Sequence, residues 1–97
     1  MPRTKILDPE LESFIKTGYS RKYSKYKDNG FLKQLSIVYT IMDSSVTIED
    51  VKNYKQLELH SHSSSEYSIH FNHKLGRLSL NYFIQEDEIV LKDITPL

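Results

Sequence analysis

The sequence predicts an α+β fold in one domain, residues 1–97, with two N-terminal helices packed on a small curled antiparallel sheet. Three observations predict it. Apolar residues recur at helical spacing up to about residue 42, and from residue 56 the spacing changes to two. A chain of 97 residues is also too short to build two separate cores.

Thr4-Lys5-Ile6-Leu7 is expected as a short first strand. Asp8-Pro9 follows as a helix N-cap with proline at the first helical position, and Glu10 and Glu12 complement the helix dipole. Leu11, Phe14 and Ile15 share one face of this helix, which Gly18 stops. Asp28-Asn29-Gly30 caps a second helix running to about Met42. Its stripe of Phe31, Leu35, Val38 and Met42, flanked by Leu32, Tyr39 and Ile41, is wide enough to lie on a sheet. Thr47 and Asp50 resemble a capping box for a short helical turn over residues 48–54.

Residues 56–62, 67–72 and 77–84 alternate apolar and polar side chains, and 89–94 is apolar on both sides, so a more buried last strand is expected. Residues 72–76 supply a hairpin turn, residues 61–65 a serine-rich loop, and Glu86-Asp87-Glu88 a charged turn. If Leu57, Leu59, Ile69, Phe71, Leu78 and Leu80 face the helices, the opposite face carries His60, His62, Ser68, His70, Arg77, Ser79 and Asn81. That inference requires that no bulge disturb the phase.

Composition narrows the function classes. With no cysteine, disulfides and thiolate metal sites are excluded. No secretory signal and no window near the ~20 apolar residues of a membrane span is present, so a cytoplasmic protein without a membrane partner is expected. The zero net charge argues against indiscriminate nucleic-acid binding, but residues 1–35 hold eight Lys/Arg against four Asp/Glu. Arg21, Lys22, Lys25 and Lys27 alternate there with Tyr19, Tyr23 and Tyr26. Cations interleaved with aromatics suit phosphate contacts and base stacking, as they also suit a solvated surface segment. All four histidines fall within residues 60–73, yet the only carboxylate in that stretch is Glu66, and neither a metal nor any other cofactor is expected.

The order strand, two helices, strand cluster resembles toxins of the RelE/ParE superfamily, and within it the HigB or plasmid-maintenance killer-protein group. Three stretches carry the likeness: Thr17-Gly18-Tyr19-Ser20-Arg21-Lys22-Tyr23, similar to a Gly-x-Ser-Arg-Lys segment; Leu57–His60, similar to a Leu-His strand; and Tyr67-Ser68-Ile69-His70-Phe71-Asn72 with Gly76-Arg77-Leu78, similar to a Tyr-Ser-Ile-Arg-Val-Asn … Tyr-Arg-Leu hairpin. The resemblance spans roughly residues 9–94.

It implies a type II toxin: an endoribonuclease that cleaves mRNA, in most of the group on the ribosome, without a metal, and is silenced by a HigA-like antitoxin carrying the helix-turn-helix that binds DNA. Arg77 would be the phosphate-binding arginine, and His60 a proton-transfer group. His62 and His70 would stand in for a cation and an acid that the group has elsewhere, and Arg21, Lys22, Lys25 and Tyr23 would contact RNA. The chain departs from the pattern at His70, where the group has arginine, in residues 61–66, which lack its loop lysine, and at Ile94-Thr95-Pro96-Leu97, where its Tyr/His pair is missing. A ParE-like binder of DNA gyrase and a domain that binds only its antitoxin therefore stand beside the nuclease.

Overall fold

In the computed structural model, which describes residues 3–44 and 58–97, the chain runs β1 (Arg3–Ile6), α1 (Pro9–Thr17), a 3-10 turn (Ser24–Tyr26), α2 (Asn29–Ser44), β2 (Glu58–Ser61), β3 (Glu66–His73), β4 (Gly76–Gln85) and β5 (Glu88–Pro96). The turn expected over residues 48–54, Gln56 and Leu57 lie outside the described residues.

Both helices begin as their sequences dictate. The Asp8 carboxylate accepts from the Glu10 amide at 3.0 Å with Pro9 in the first turn, and Gly18, at φ 79°, closes α1 by donating its N–H to the Phe14 carbonyl. Asp28 caps α2 by accepting from the Phe31 amide at 3.1 Å. Leu11 and Phe14 of α1, and Phe31, Leu35, Val38 and Met42 of α2, are all buried.

The sheet order is β1-β5-β4-β3-β2. Strands β2 to β5 are antiparallel, but β1 pairs with β5 in parallel, placing Thr4 beside Ile89 and Ile6 beside Leu91. The sheet is therefore mixed and not wholly antiparallel, and the helices follow a strand that the two ends of the chain bring into one edge. Joining β1 to β5 is a contact across most of the chain, which no local pattern announces.

Helix α1 packs near β1 and β5, and α2 near β1 and β3. One core joins them to Ile69, Phe71, Leu78, Leu80, Tyr82, Ile89, Leu91 and Ile94. Aromatic edges fill it: the Phe31 ring meets Phe71 at 5.6 Å and Phe14 at 6.3 Å between centroids. His73 belongs to this core side as well, edge-on to Phe31 and hydrogen-bonded through Nε2 to the Tyr26 carbonyl at 3.0 Å.

A bulge does occur, but in β5. Asn81 pairs with Asp93 and Tyr82 with Leu91, so Lys92 is the extra residue. This is why Leu91 and Ile94, three positions apart, both face the core. The phase of β2, β3 and β4 is untouched, and His60, Ser68, His70, Arg77, Ser79 and Asn81 keep the face assigned from the period-two spacing, while His62 falls beyond the end of β2.

Candidate functional site on the face away from the helices

The site is assembled from alternate residues of β2, β3 and β4. His60 pairs with Ser68 and Ser68 with Asn81, while Glu58 pairs with His70 and His70 with Ser79. Because Leu59, Ile69 and Leu80 occupy the intervening positions and enter the core, these polar residues must all project from the other face.

His60 and His70 sit diagonally across the β2–β3 pair, with their rings stacked at 3.9 Å between centroids and 20° apart in tilt. His62 lies just beyond β2, in the turn, and its Nε2 meets the Ser68 hydroxyl at 2.7 Å. The same hydroxyl lies 3.3 Å from Nε2 of His70, so Ser68, fully buried, sits between two imidazoles. Burial of the ring, followed by the proximity of the His60 and His62 imidazoles, holds His70 below the usual histidine value. At neutral pH it is the uncharged imidazole and can accept a proton.

Arg77, at the start of β4, reaches across β3 to the carboxylate of Glu58 on β2. The other Glu58 oxygen lies 3.9 Å from Nε2 of His60. Glu58 is the residue that reading the sequence for function missed. Its signal was present, because it stands two places before His60 and so on the same strand face, but only the strand order shows that Arg77 is within reach. On the β4–β5 side the face continues as a network: the Ser79 hydroxyl donates to Asn81, whose amide donates to Asp93 at 2.7 Å and Thr95 at 3.0 Å.

The basic segment is placed elsewhere. Tyr23 and Tyr26 belong to the core on the helix side, and the Tyr23 hydroxyl accepts from the Ile94 amide at 3.3 Å. With 2% of its surface exposed, Tyr23 offers no ring to a base, which corrects its expected RNA contact. Around the 3-10 turn Tyr23 and Tyr26, three residues apart, enter the core, while Lys22 and Lys25 stay exposed. Lys22 is bound to Asp8 at 2.8 Å and Lys25 lies 5.1 Å over the Tyr26 ring. Arg21 is exposed, while its amide and the Ser20 hydroxyl donate to Glu10. The structure thus brings together His60, His62, His70 and Arg77, and leaves Arg21, Lys22 and Lys25 on the other side of the sheet.

A neutral imidazole beside two others, with a guanidinium and a carboxylate at its edge, can move protons and bind an anion once Arg77 leaves Glu58. Among the described residues no helix is long and apolar enough to cross a membrane. Comparison of the chain with protein-family models, with curated proteins and with solved structures gives no match.

Proposed function

We propose that this chain is a RelE/HigB-like toxin, an endoribonuclease that cleaves mRNA on the face of the sheet turned away from its helices. The observation that carries the reading is the convergence of His60, His62 and His70 around Ser68, with Arg77 at their edge. A nuclease that uses the RNA's own 2′-hydroxyl needs a base, an acid and a cation within the span of one phosphodiester, and this group offers all three.

In this mechanism His70, uncharged, removes the proton of the 2′-hydroxyl, whose oxygen attacks the adjacent phosphorus. The bond from phosphorus to the 5′-oxygen breaks, and His62, across Ser68, gives that oxygen a proton. The products are a 2′,3′-cyclic phosphate and a 5′-hydroxyl. His60 positions the His70 ring by stacking. Arg77 exchanges the Glu58 carboxylate for the phosphate and stabilises the charge that develops on it. Cytoplasmic mRNA, the ribosome and a HigA-like antitoxin are the partners that this reading carries.

The test is induced expression of the wild type and of Arg77→Ala, with growth and mRNA ends followed in parallel. Growth arrest accompanied by new 5′-hydroxyl ends in the wild type, both lost in the variant, supports the reading. Growth arrest with intact mRNA overturns it.

A second reading, a toxin-like domain whose work is binding an antitoxin or gyrase, is favoured by one observation: Arg77 is already neutralised by Glu58. It requires that Glu58→Ala, which frees the guanidinium, leave RNA binding unchanged.

A further inference from the structure

We propose that Glu58, His60 and His70 form a binding site for a divalent transition metal of the zinc type. The inference stands on the geometry alone and does not rest on the nuclease reading. One donor atom from each residue lies within 4.8 Å of the other two. In a tetrahedral zinc site with metal–ligand distances of about 2.0–2.1 Å the donors are roughly 3.3 Å apart. The required closure is therefore a rotation of side chains: Glu58 and His60 are half-exposed, and the His60 ring has to turn out of its stack on His70 for both nitrogens to face one ion.

The scaffold suits the task. Glu58 and His70 are direct partners across the β2–β3 pair, and His60 is two residues along from Glu58, so the three Cβ positions are set by one ladder of backbone hydrogen bonds. Two imidazoles and a carboxylate are the donor set that leaves a fourth position for water, and imidazole nitrogen selects zinc, copper or nickel over calcium and magnesium. One oxygen of Glu58 already faces His60 while Arg77 holds the other, an outer contact that fixes the carboxylate's orientation. The half-exposed side chains provide an entry path from solvent.

A consequence follows for the chemistry of this face. A metal held by His70 occupies the nitrogen lone pair that would accept a proton, so occupancy and proton transfer at His70 exclude each other.

The test is calorimetric titration of the full, chelator-treated chain with zinc chloride, together with visible absorption of the cobalt-loaded protein and imidazole NMR. One metal per chain is expected, with cobalt bands of a four- or five-coordinate site and shifts at His60 and His70 but not at His73. Glu58→Gln, His60→Gln and His70→Gln are each expected to weaken zinc binding by more than the roughly 10–100-fold that loss of an outer contact costs. Glu66→Gln is expected to leave it unchanged, and unaltered circular dichroism shows that each variant is folded. Absence of zinc binding in the wild type, or wild-type affinity in Glu58→Gln or His70→Gln, overturns the proposal. Because the titration contains no RNA, failure of the nuclease reading leaves its outcome unaffected.

Discussion

Glu58 and Arg77 are ion-paired across the full width of β3, although 18 residues separate them in the chain and they belong to strands that do not touch. Both side chains are about half-exposed, so the pair contributes little to stability, on the order of 0.2–1 kcal/mol. On the nuclease reading its effect is on RNA binding. Glu58→Ala is expected to leave the melting temperature nearly unchanged and to strengthen binding of a short RNA, as followed by fluorescence anisotropy. The same measurement on Arg77→Ala should show weaker binding and a shallower dependence on salt. Equal affinities in the two variants would show that phosphate does not meet Arg77.

Tyr23 gives the opposite kind of prediction, one about stability. Its ring is buried against Phe14 and Tyr26, and its hydroxyl accepts from the Ile94 amide. Tyr23→Ala should cost about 3–5 kcal/mol in denaturant unfolding, as truncating a buried aromatic does. Tyr23→Phe should cost about 1 kcal/mol for the lost hydrogen bond. Arg21→Ala, two residues away and exposed, should be neutral to within about 0.5 kcal/mol. If Tyr23→Phe weakens RNA binding without affecting stability, the tyrosine has been misplaced.

These two residues also show what the sequence could disclose. The caps Asp8 and Gly18, the stripe from Phe31 to Met42 and the phase of Ile69, Phe71, Leu78 and Leu80 were legible, because each depends on neighbours within a turn or on a strict period. His60, Ser68, His70, Arg77, Ser79 and Asn81 were placed on one face for the same reason. The inward turn of Tyr23 and Tyr26 was not legible, since the 3-10 turn that sets them three residues apart on one side is a single turn, too short to announce its period in the sequence. The role of Glu58 depends on β2 and β4 flanking β3, and the parallel β1–β5 pair on a contact between the two ends of the chain. Both are properties of topology.

The Asp8 carboxylate links the start of α1 to the basic segment and makes stability depend on acid. The hydrogen bond from the Lys22 ammonium, helped by the Glu10 amide and opposed by burial, holds Asp8 below the usual carboxylate range. Glu10 is lowered too, first by the Ser20 hydroxyl and then by the Arg21 amide. A depressed folded value means stability that is complete above the unfolded values near pH 4 and is lost as pH falls through the folded ones. Melting temperatures taken from pH 7 down to pH 2 should therefore decline below about pH 4. Asp8→Asn, which keeps a cap acceptor but loses the charge, should make that decline shallower. Asp8→Ala should in addition cost about 1 kcal/mol at pH 7 through the lost cap. An acid limb identical in Asp8→Asn and wild type would show that the Lys22 pair contributes nothing.

The β4–β5 hairpin turns on Glu86 and Asp87, both with positive φ, at 48° and 66°. Such a two-residue turn favours Asn-Gly, because a side chain in the left-handed region costs roughly 1–2 kcal/mol. Replacing the pair, Glu86→Asn with Asp87→Gly, should raise stability by about 1 kcal/mol and the melting temperature by roughly 4–8 °C. A thermal melt checks this, and a lowered melting temperature would show that the acidic pair makes contacts which outweigh its strain.

The bulge at Lys92 supports a sharper test of the sheet's phase. Lys92 and Asp93 together stand opposite Asn81, so deleting Lys92 closes the bulge into a regular ladder in which Leu91 still meets Tyr82 and Ile94 still meets Leu80. The core set is preserved, and the deletion variant should fold cooperatively with a change of about 1 kcal/mol. Deleting Val90 also removes one residue from β5, but it shifts Leu91 off the core face and brings Lys92 into its place. An unpaired ammonium buried there costs several kcal/mol, comparable with the whole stability of a domain this size. Denaturant unfolding of the two deletions should therefore show a sigmoidal transition for the first and none for the second. The reverse result would place the extra residue elsewhere in the strand and remove the explanation of how Leu91 and Ile94 come to share one face.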